Sequence, residues 1–472
     1  MVTSFGRRSL ALPILAVVGS TGLFFSFAAK ADITQVNSTP DGIWLPDTNI
    51  PLFSDQSLGL HINGGLSLDG YGAGTHDINF GSRAYNSHKS PAWWEASVVP
   101  ALSAEWDIPN GGELFGGLSG SYSMTRGNSD GDPEGDTPDH PEHARLDRAY
   151  LGWRSGDLLN DSLGHNALSF SFGRQAFRFG DGFLVGDGFT DEGKYGAFYI
   201  GPSVAFQSSA VATLNTGNWH VDLFHLKDHQ YEPHFRHTQR VPDDNTSANG
   251  MNLDYTLGQR AQFGAAYMHV YNSNVGDRNG MNVYNLRAKG RPFDTLPGLS
   301  LAGQYVYEHN GKSDHHVSST GWFGQATYTF DAPWSPSVSY RYAQYGKNYD
   351  PLFYSFAGGW GTWYFGEIAG EYMFFNTNMK VNMLKFSVQP TQSLDAGVIA
   401  YNFDYKSPSA AGARKGNFAS ELDLYTDWSI TQHLSLSGVY GIASPGKGAQ
   451  QAYSGGHRST SQLVELFATY TF

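Results

Sequence analysis

The chain has 472 residues, a formal net charge of −13 and no cysteine, so a disulfide framework and a cysteine metal site are excluded. The acidic balance argues against nucleic acid as a partner, because non-specific binding to it needs a basic surface. A mean hydropathy of −0.37 excludes a set of membrane helices, while 27 Tyr, 11 Trp and 57 Gly suit a wet-lumened β-barrel with aromatic girdles.

The N-terminus reads as a targeting segment. Arg7 and Arg8 precede an apolar run over 10–27, and Ala29-Lys30-Ala31 supplies a small-x-small cleavage site. Residues 1–31 are expected to be a signal peptide, 32–56 a periplasmic segment and 57–472 one transmembrane β-barrel. An uncleaved membrane anchor is the competing reading of the apolar run.

From residue 57 onward, alternating runs recur at 57–69, 96–107, 113–124, 145–154, 167–177, 204–214, 219–227, 250–257, 261–271, 281–290, 299–309, 318–330, 336–346, 379–389, 393–405, 418–428, 433–443 and 461–472. These are about 18 strands of roughly ten residues, the length that crosses a bilayer at a tilt. Short connections (108–112, 215–218, 258–260, 331–335, 390–392, 429–432) alternate with long ones (70–95, 125–144, 178–203, 228–249, 347–378, 406–417, 444–460). Two medium turns, 155–166 and 291–298, fit the short side less well. Short turns on one rim and long loops on the other define an all-β, antiparallel outer-membrane barrel with the long loops outside.

Several segments bear on function. The acidic run 127–142 carries Asp130, Asp132 and Glu134 at calcium-loop spacing, but Pro141 stands where the bidentate carboxylate belongs, so no specific metal site is expected. His229, His234 and His237 share one loop, where solvated histidines are the commoner case. In 145–154, Ala149, Leu151 and Trp153 face out, leaving Arg148, Tyr150 and Arg154 for the lumen. In 167–177, strict alternation after Phe172 puts Arg174 in lipid; a one-residue bulge at Gly173 would turn Arg174, Ala176 and Arg178 inward and Phe177 and Phe179 outward. Alternation alone makes Arg287, Lys289, Arg341 and Lys385 lumen cations and Glu421 and Asp423 lumen acids. Two roles stand open for these cations: a ladder for an anionic solute, or braces paired with acids such as Asp222 and Asp254. The aromatic loop 347–378, with Tyr349, Phe353, Tyr354, Trp360 and Glu371, is either an inward constriction or an outer-rim girdle. The last run alternates Val464, Leu466, Ala468, Tyr470 and Phe472 against Glu465, Thr469 and Thr471, and its terminal Phe472 suits recognition by the barrel assembly machinery.

Short motifs carry a family resemblance. RLDRAYLGW at 145–153, GRQ at 173–175, FGDGFLVG at 179–186, YDPLF at 349–353 and the hairpin 421–446 resemble the alginate-export porin family. The resemblance implies an 18-stranded monomeric outer-membrane pore that passes an anionic polysaccharide along arginines. It carries over to Arg148, Arg174 and Gln175, with Asp181 and Asp187 nearby and Arg178 added by the bulge argument. The expected function is passive passage of an anionic or carbohydrate solute. The alternatives are an uptake porin for small sugars or organic anions, or, in another class, a surface receptor or enzyme barrel. No serine-nucleophile elbow, His-Glu-x-x-His or phosphate loop is present, so no enzyme and no cofactor are expected. The expected partners are outer-membrane lipid, lipopolysaccharide and the solute.

Overall fold

The computed structural model describes residues 48–82, 89–128, 140–190, 195–230, 244–312, 317–355, 365–374 and 376–472. The proposed signal peptide, the acidic residues 130–139, His234, His237 and Trp360 lie outside these residues.

Eighteen strands form a closed antiparallel wall: β1 (Leu60–His76), β2 (Ala92–Ile108), β3 (Gly112–Asn128), β4 (Glu142–Arg154), β5 (Leu168–Arg174), β6 (Ser208–Thr216), β7 (Trp219–Gln230), β8 (Asp244–Leu257), β9 (Ala261–Tyr271), β10 (Asn282–Gly290), β11 (Leu299–Asn310), β12 (Val317–Thr329), β13 (Ser337–Tyr345), β14 (Met379–Thr391), β15 (Leu394–Tyr405), β16 (Asn417–Ser429), β17 (Leu434–Pro445) and β18 (Ser461–Thr471). Each pairs with its sequence neighbours, and β18 closes on β1 from Ser67↔Thr471 to His76↔Gln462. Below that seam, a strand at Ile50–Asp55 continues the ladder on β1, pairing Ile50 with Gly64 and Asp55 with Leu60. A two-residue strand, Phe189–Thr190, lies parallel to the end of β7.

The wall is two-sided in the way its sequence dictates. On β18, Val464 and Leu466 are exposed on the outside, whereas Glu465 is buried inside. The outer face carries a band of Leu301, Leu384, Leu422 and Leu424, flanked by aromatics such as Trp106, Trp219 and Trp428 toward the short-turn rim and Tyr284, Tyr305 and Tyr440 toward the other. Charges on such a face would cost several kilocalories in lipid, and a closed sheet leaves no unpaired backbone edge there. The molecule is therefore an outer-membrane β-barrel, with its long-loop rim outside.

Strand ends differ from the sequence reading. β1 runs to His76, past residue 69, because Tyr71 and Ala73 keep the ladder while Gly70, Gly72 and Gly74 alternate with them. β6 starts at Ser208, later than residue 204, because the chain before it lies inside the barrel. The bulge sits in β4 and not at Gly173: register slips between Ser119 and Gly120, so Asp147 is the extra residue. Pairing on β5 runs uninterrupted through Gly173↔Tyr150 and Arg174↔Ala149. Phe177 and Phe179 are buried inside, not facing lipid, because the chain leaves the wall after Arg174.

Candidate functional site

The lumen is narrowed by two segments whose described residues leave the wall and fold inward, 175–190 with 195–206, and 346–355 with 365–374. The first departs at Gly173, whose φ of 129° and closeness to Ala149 O leave no room for a Cβ. It buries Phe177, Phe179, Phe183, Leu184 and Val185 and returns where Phe206 N donates to Gln175 O at 3.0 Å. The second buries Tyr349, Leu352, Phe353, Tyr354 and Phe365, so the inward alternative for this loop is the one its described residues adopt.

The two segments are joined to each other. Gly186 N and Asp187 N donate to Phe353 O at 2.8 and 3.1 Å, and Ser355 N donates to Gly182 O at 2.8 Å. Arg178, partly buried between them, donates from Nη2 to Ser355 Oγ at 2.9 Å. Burial lowers the pKa of its guanidinium, and the Asp187 and Asp181 carboxylates oppose that. Asp181 also accepts from Phe183 N at 3.3 Å. The glycines of FGDGFLVG make this approach possible: a Cβ on Gly182 would lie 2.3 Å from Ser355 O.

Each segment is also tied to the wall. Asp147, turned inward by the bulge, accepts from Ser119 Oγ at 3.0 Å and from Ser203 Oγ of the first segment. Arg148 beside it is buried, 3.4 Å from the same carboxylate. On the second segment, Asp350 forms a bidentate pair with Arg278 at 2.6 and 2.8 Å, and its backbone N donates to Glu308 Oε2 at 2.9 Å. Glu421 accepts from Ile368 N and Ala369 N at 2.8 and 2.7 Å, and Asp423 accepts from Glu367 N at 3.3 Å. Glu465 accepts from Tyr71 and Tyr372 hydroxyls at 2.7 and 3.2 Å.

Glu367 and Glu371 thus sit beside wall acids Glu421, Asp423 and Glu465. Burial, then the Glu465 and Asp423 carboxylates, holds the Glu367 carboxyl well above the usual range, and burial with Glu465 pushes Glu371 up to about 8. The docked segment holds both as neutral acids, so docking is fully favoured below the ordinary value of 4.5 and weakens as pH rises through about 8. Hydrogen exchange over 365–374 is expected to accelerate between about pH 6 and about pH 9, beyond the intrinsic rate, and Glu371→Gln to flatten that rise. Equal protection at both values would show that these carboxyls do not hold the segment.

The remaining candidates are dispersed. Arg174 stays on the Phe172 side of β5, half-buried, with Nε donating to Asp147 O at 2.6 Å; it does not turn inward as expected, because the bulge lies in the neighbouring strand. Gln175 is fully buried where the chain turns in. Arg287 is a brace: it bonds Asp254 at 2.6 and 2.7 Å and Asn285 at 3.0 Å, beneath the Phe179 ring. Asp222, joined through Asn252 at 2.9 Å, completes that network with His220. Arg341 lies 4.0 Å over Phe323 and donates to Gln325 at 3.1 Å. Lys385 lies 4.7 Å over Tyr425, and Lys289 falls on the lumen side of β10 below Arg287. His229 pairs with Asn245 at 2.8 Å. Among the described residues, no group of three or more acids or histidines could hold a metal ion. Sequence reasoning missed Arg278, Asp350 and Asp147.

No protein-family profile matches the chain, and no curated protein matches it significantly. Solved structures do. Pseudomonas aeruginosa OccK11 (OpdR) aligns at TM-score 0.54 and 13% identity, covering 91% of this chain and 99% of that one. Acinetobacter baumannii OccAB2 aligns at TM-score 0.55 and 11% identity, covering 87% and 98%. The outer membrane protein OprD from Pseudomonas aeruginosa aligns at TM-score 0.54 and 11% identity, covering 91% and 97%. The fold is that of the OprD/Occ porins. This overturns the resemblance to the alginate-export family: the structural neighbours are OprD/Occ barrels. Two of the short motifs behind that resemblance, RLDRAYLGW and FGDGFLVG, lie at the bulge at Asp147 and at the junction of Gly182 and Gly186.

Proposed function

We propose that this barrel is an outer-membrane uptake porin for small organic anions or small sugars, which pass beside the junction of the two inward segments. The observation that carries the reading is the junction itself, Gly182–Gly186 against Phe353–Ser355, which joins two segments across the inside of the barrel. The OprD/Occ likeness supports it, as does the named outer membrane protein among the similar structures. Lys289, Lys385 and Arg178 supply charge for a carboxylate, and the Tyr425 ring lies beside Lys385. The paired state of Arg287 and Arg148 leaves them as wall braces and makes a continuous arginine ladder unnecessary.

In planar bilayers the protein is expected to give discrete conductance steps with anion preference. Lys289→Glu with Lys385→Glu reverses two lumen charges, each worth about 1 kcal/mol to a passing ion in water, so the anion-to-cation permeability ratio is expected to fall about fivefold or more. Reversal potentials measure it. A barrel that inserts without conducting would overturn the porin reading in favour of a closed receptor.

A further inference from the structure

A groove lies outside the lumen. It has a volume of about 300 Å³ and sits on the outer face where β11, β12 and β13 reach the long-loop rim, lined by Tyr307, Ser318, Thr320, Lys347, Lys406 and Ser407. Alternation along β11 puts Tyr307 on the same face as the exposed Tyr305 and Leu301, so the groove opens toward lipid directly above the apolar band.

The groove is a basic spot on a chain of net charge −13. Lys406 Nζ reaches the Gln344 amide oxygen at 3.1 Å when that amide is turned to face it, and Trp322 Nε1 shares the oxygen at 3.3 Å. Lys406 is thereby held at the mouth with donors to spare. Outward-facing Asp404 is balanced by its cross-strand neighbour Lys380, which leaves Lys347 and Lys406 in excess among the described residues. Hydroxyls surround them: Tyr307 and Ser318 lie 3.3 Å apart, and Thr320 and Ser407 complete the lining. Two ammonium groups with several hydroxyl donors suit a tetrahedral oxyanion with many acceptors, and such a pocket at headgroup level lets acyl chains run down Tyr305, Leu301 and Tyr340.

We propose that this groove binds a phosphate group of an outer-leaflet glycolipid, with Lys347 and Lys406 as its cationic contacts and the apolar band beneath receiving the acyl chains. The test is native mass spectrometry of the detergent-solubilised barrel titrated with bisphosphorylated lipid A. Wild type is expected to retain the lipid, and Lys347→Ala with Lys406→Ala to bind it roughly tenfold more weakly. Lys415→Ala with Lys447→Ala, an equal loss of charge elsewhere among the loops, is expected to bind as wild type does. Equal weakening in that control would overturn the assignment. Equal retention of dephosphorylated lipid A by wild type would assign binding to acyl chains alone and overturn it without any variant. Displacement by equimolar inorganic pyrophosphate would assign the groove to free phosphate and overturn the lipid as its source. Heat-modifiable electrophoretic mobility confirms that each variant is a closed barrel.

Discussion

Arg278→Ala is expected to unhook the second inward segment and widen the pore. Arg278 is buried and meets Asp350 through two hydrogen bonds, and Asp350 lies against the buried Glu308 carboxylate. Removing the guanidinium leaves two neighbouring acids inside the barrel with no cation between them. Breaking one side of a buried pair costs about 3–5 kcal/mol, more than the few backbone hydrogen bonds that hold 346–355 contribute. The wall is not in question, because every strand keeps both neighbours. Single-channel recording should therefore show a larger, noisier open level in a barrel that still shows heat-modifiable mobility. Arg278→Lys should restore little, since an ammonium cannot match the bidentate geometry. Unchanged conductance together with unchanged exchange over 346–355 would refute this account.

Gly182→Val is expected to open the same junction from the other side. Gly182 has a φ of 79°, and its Cβ would fall 2.3 Å from Ser355 O. Backbone cannot yield as a flexible side chain would, so the two segments must part, at a cost of roughly 2 kcal/mol or more. Gly186→Val meets Ser355 Cβ at 2.8 Å and should behave alike. Because Ser355 and Asp350 belong to one segment, Gly182→Val and Arg278→Ala together should widen the pore little beyond either alone. Gly70→Ala, with nothing within 4 Å of its new methyl, should conduct as wild type does. Conductance histograms for these four variants decide it.

Much of the wall was legible in the residues. Alternation such as Val464/Glu465/Leu466 and the contrast between short and long connections lead to eighteen strands and to the sidedness of the rims. Strand ends were less so: Gly70, Gly72 and Gly74 read as loop, yet Tyr71 and Ala73 between them keep the ladder in register. Of the site, Arg148, Glu421 and Asp423 could be assigned inward from alternation alone, and they are buried there. Phe177 and Phe179 could not, because alternation assumes that the chain stays in the wall. Arg278 follows β9 in a connection without periodicity, and nothing local tells its tie to Asp350, 72 residues later, from a solvated arginine. The glycines of FGDGFLVG were visible as a motif, but their physical reason is another segment's carbonyl.

The extra residue at Asp147 has a consequence for how this wall tolerates change. It resets the odd–even count of β4: Leu146 and Ala149 flank two successive inward side chains, Asp147 and Arg148. Deleting Asp147 would therefore do more than remove one carboxylate. Anchored by its turn to β5, the strand's lower half would keep its faces, and every residue above the deletion would change sides, carrying Leu146 inward and Arg145 toward lipid. Length changes in this wall are neutral only in pairs, so single-residue gaps in its strands select against themselves, whereas the loops at the outer rim carry no such arithmetic.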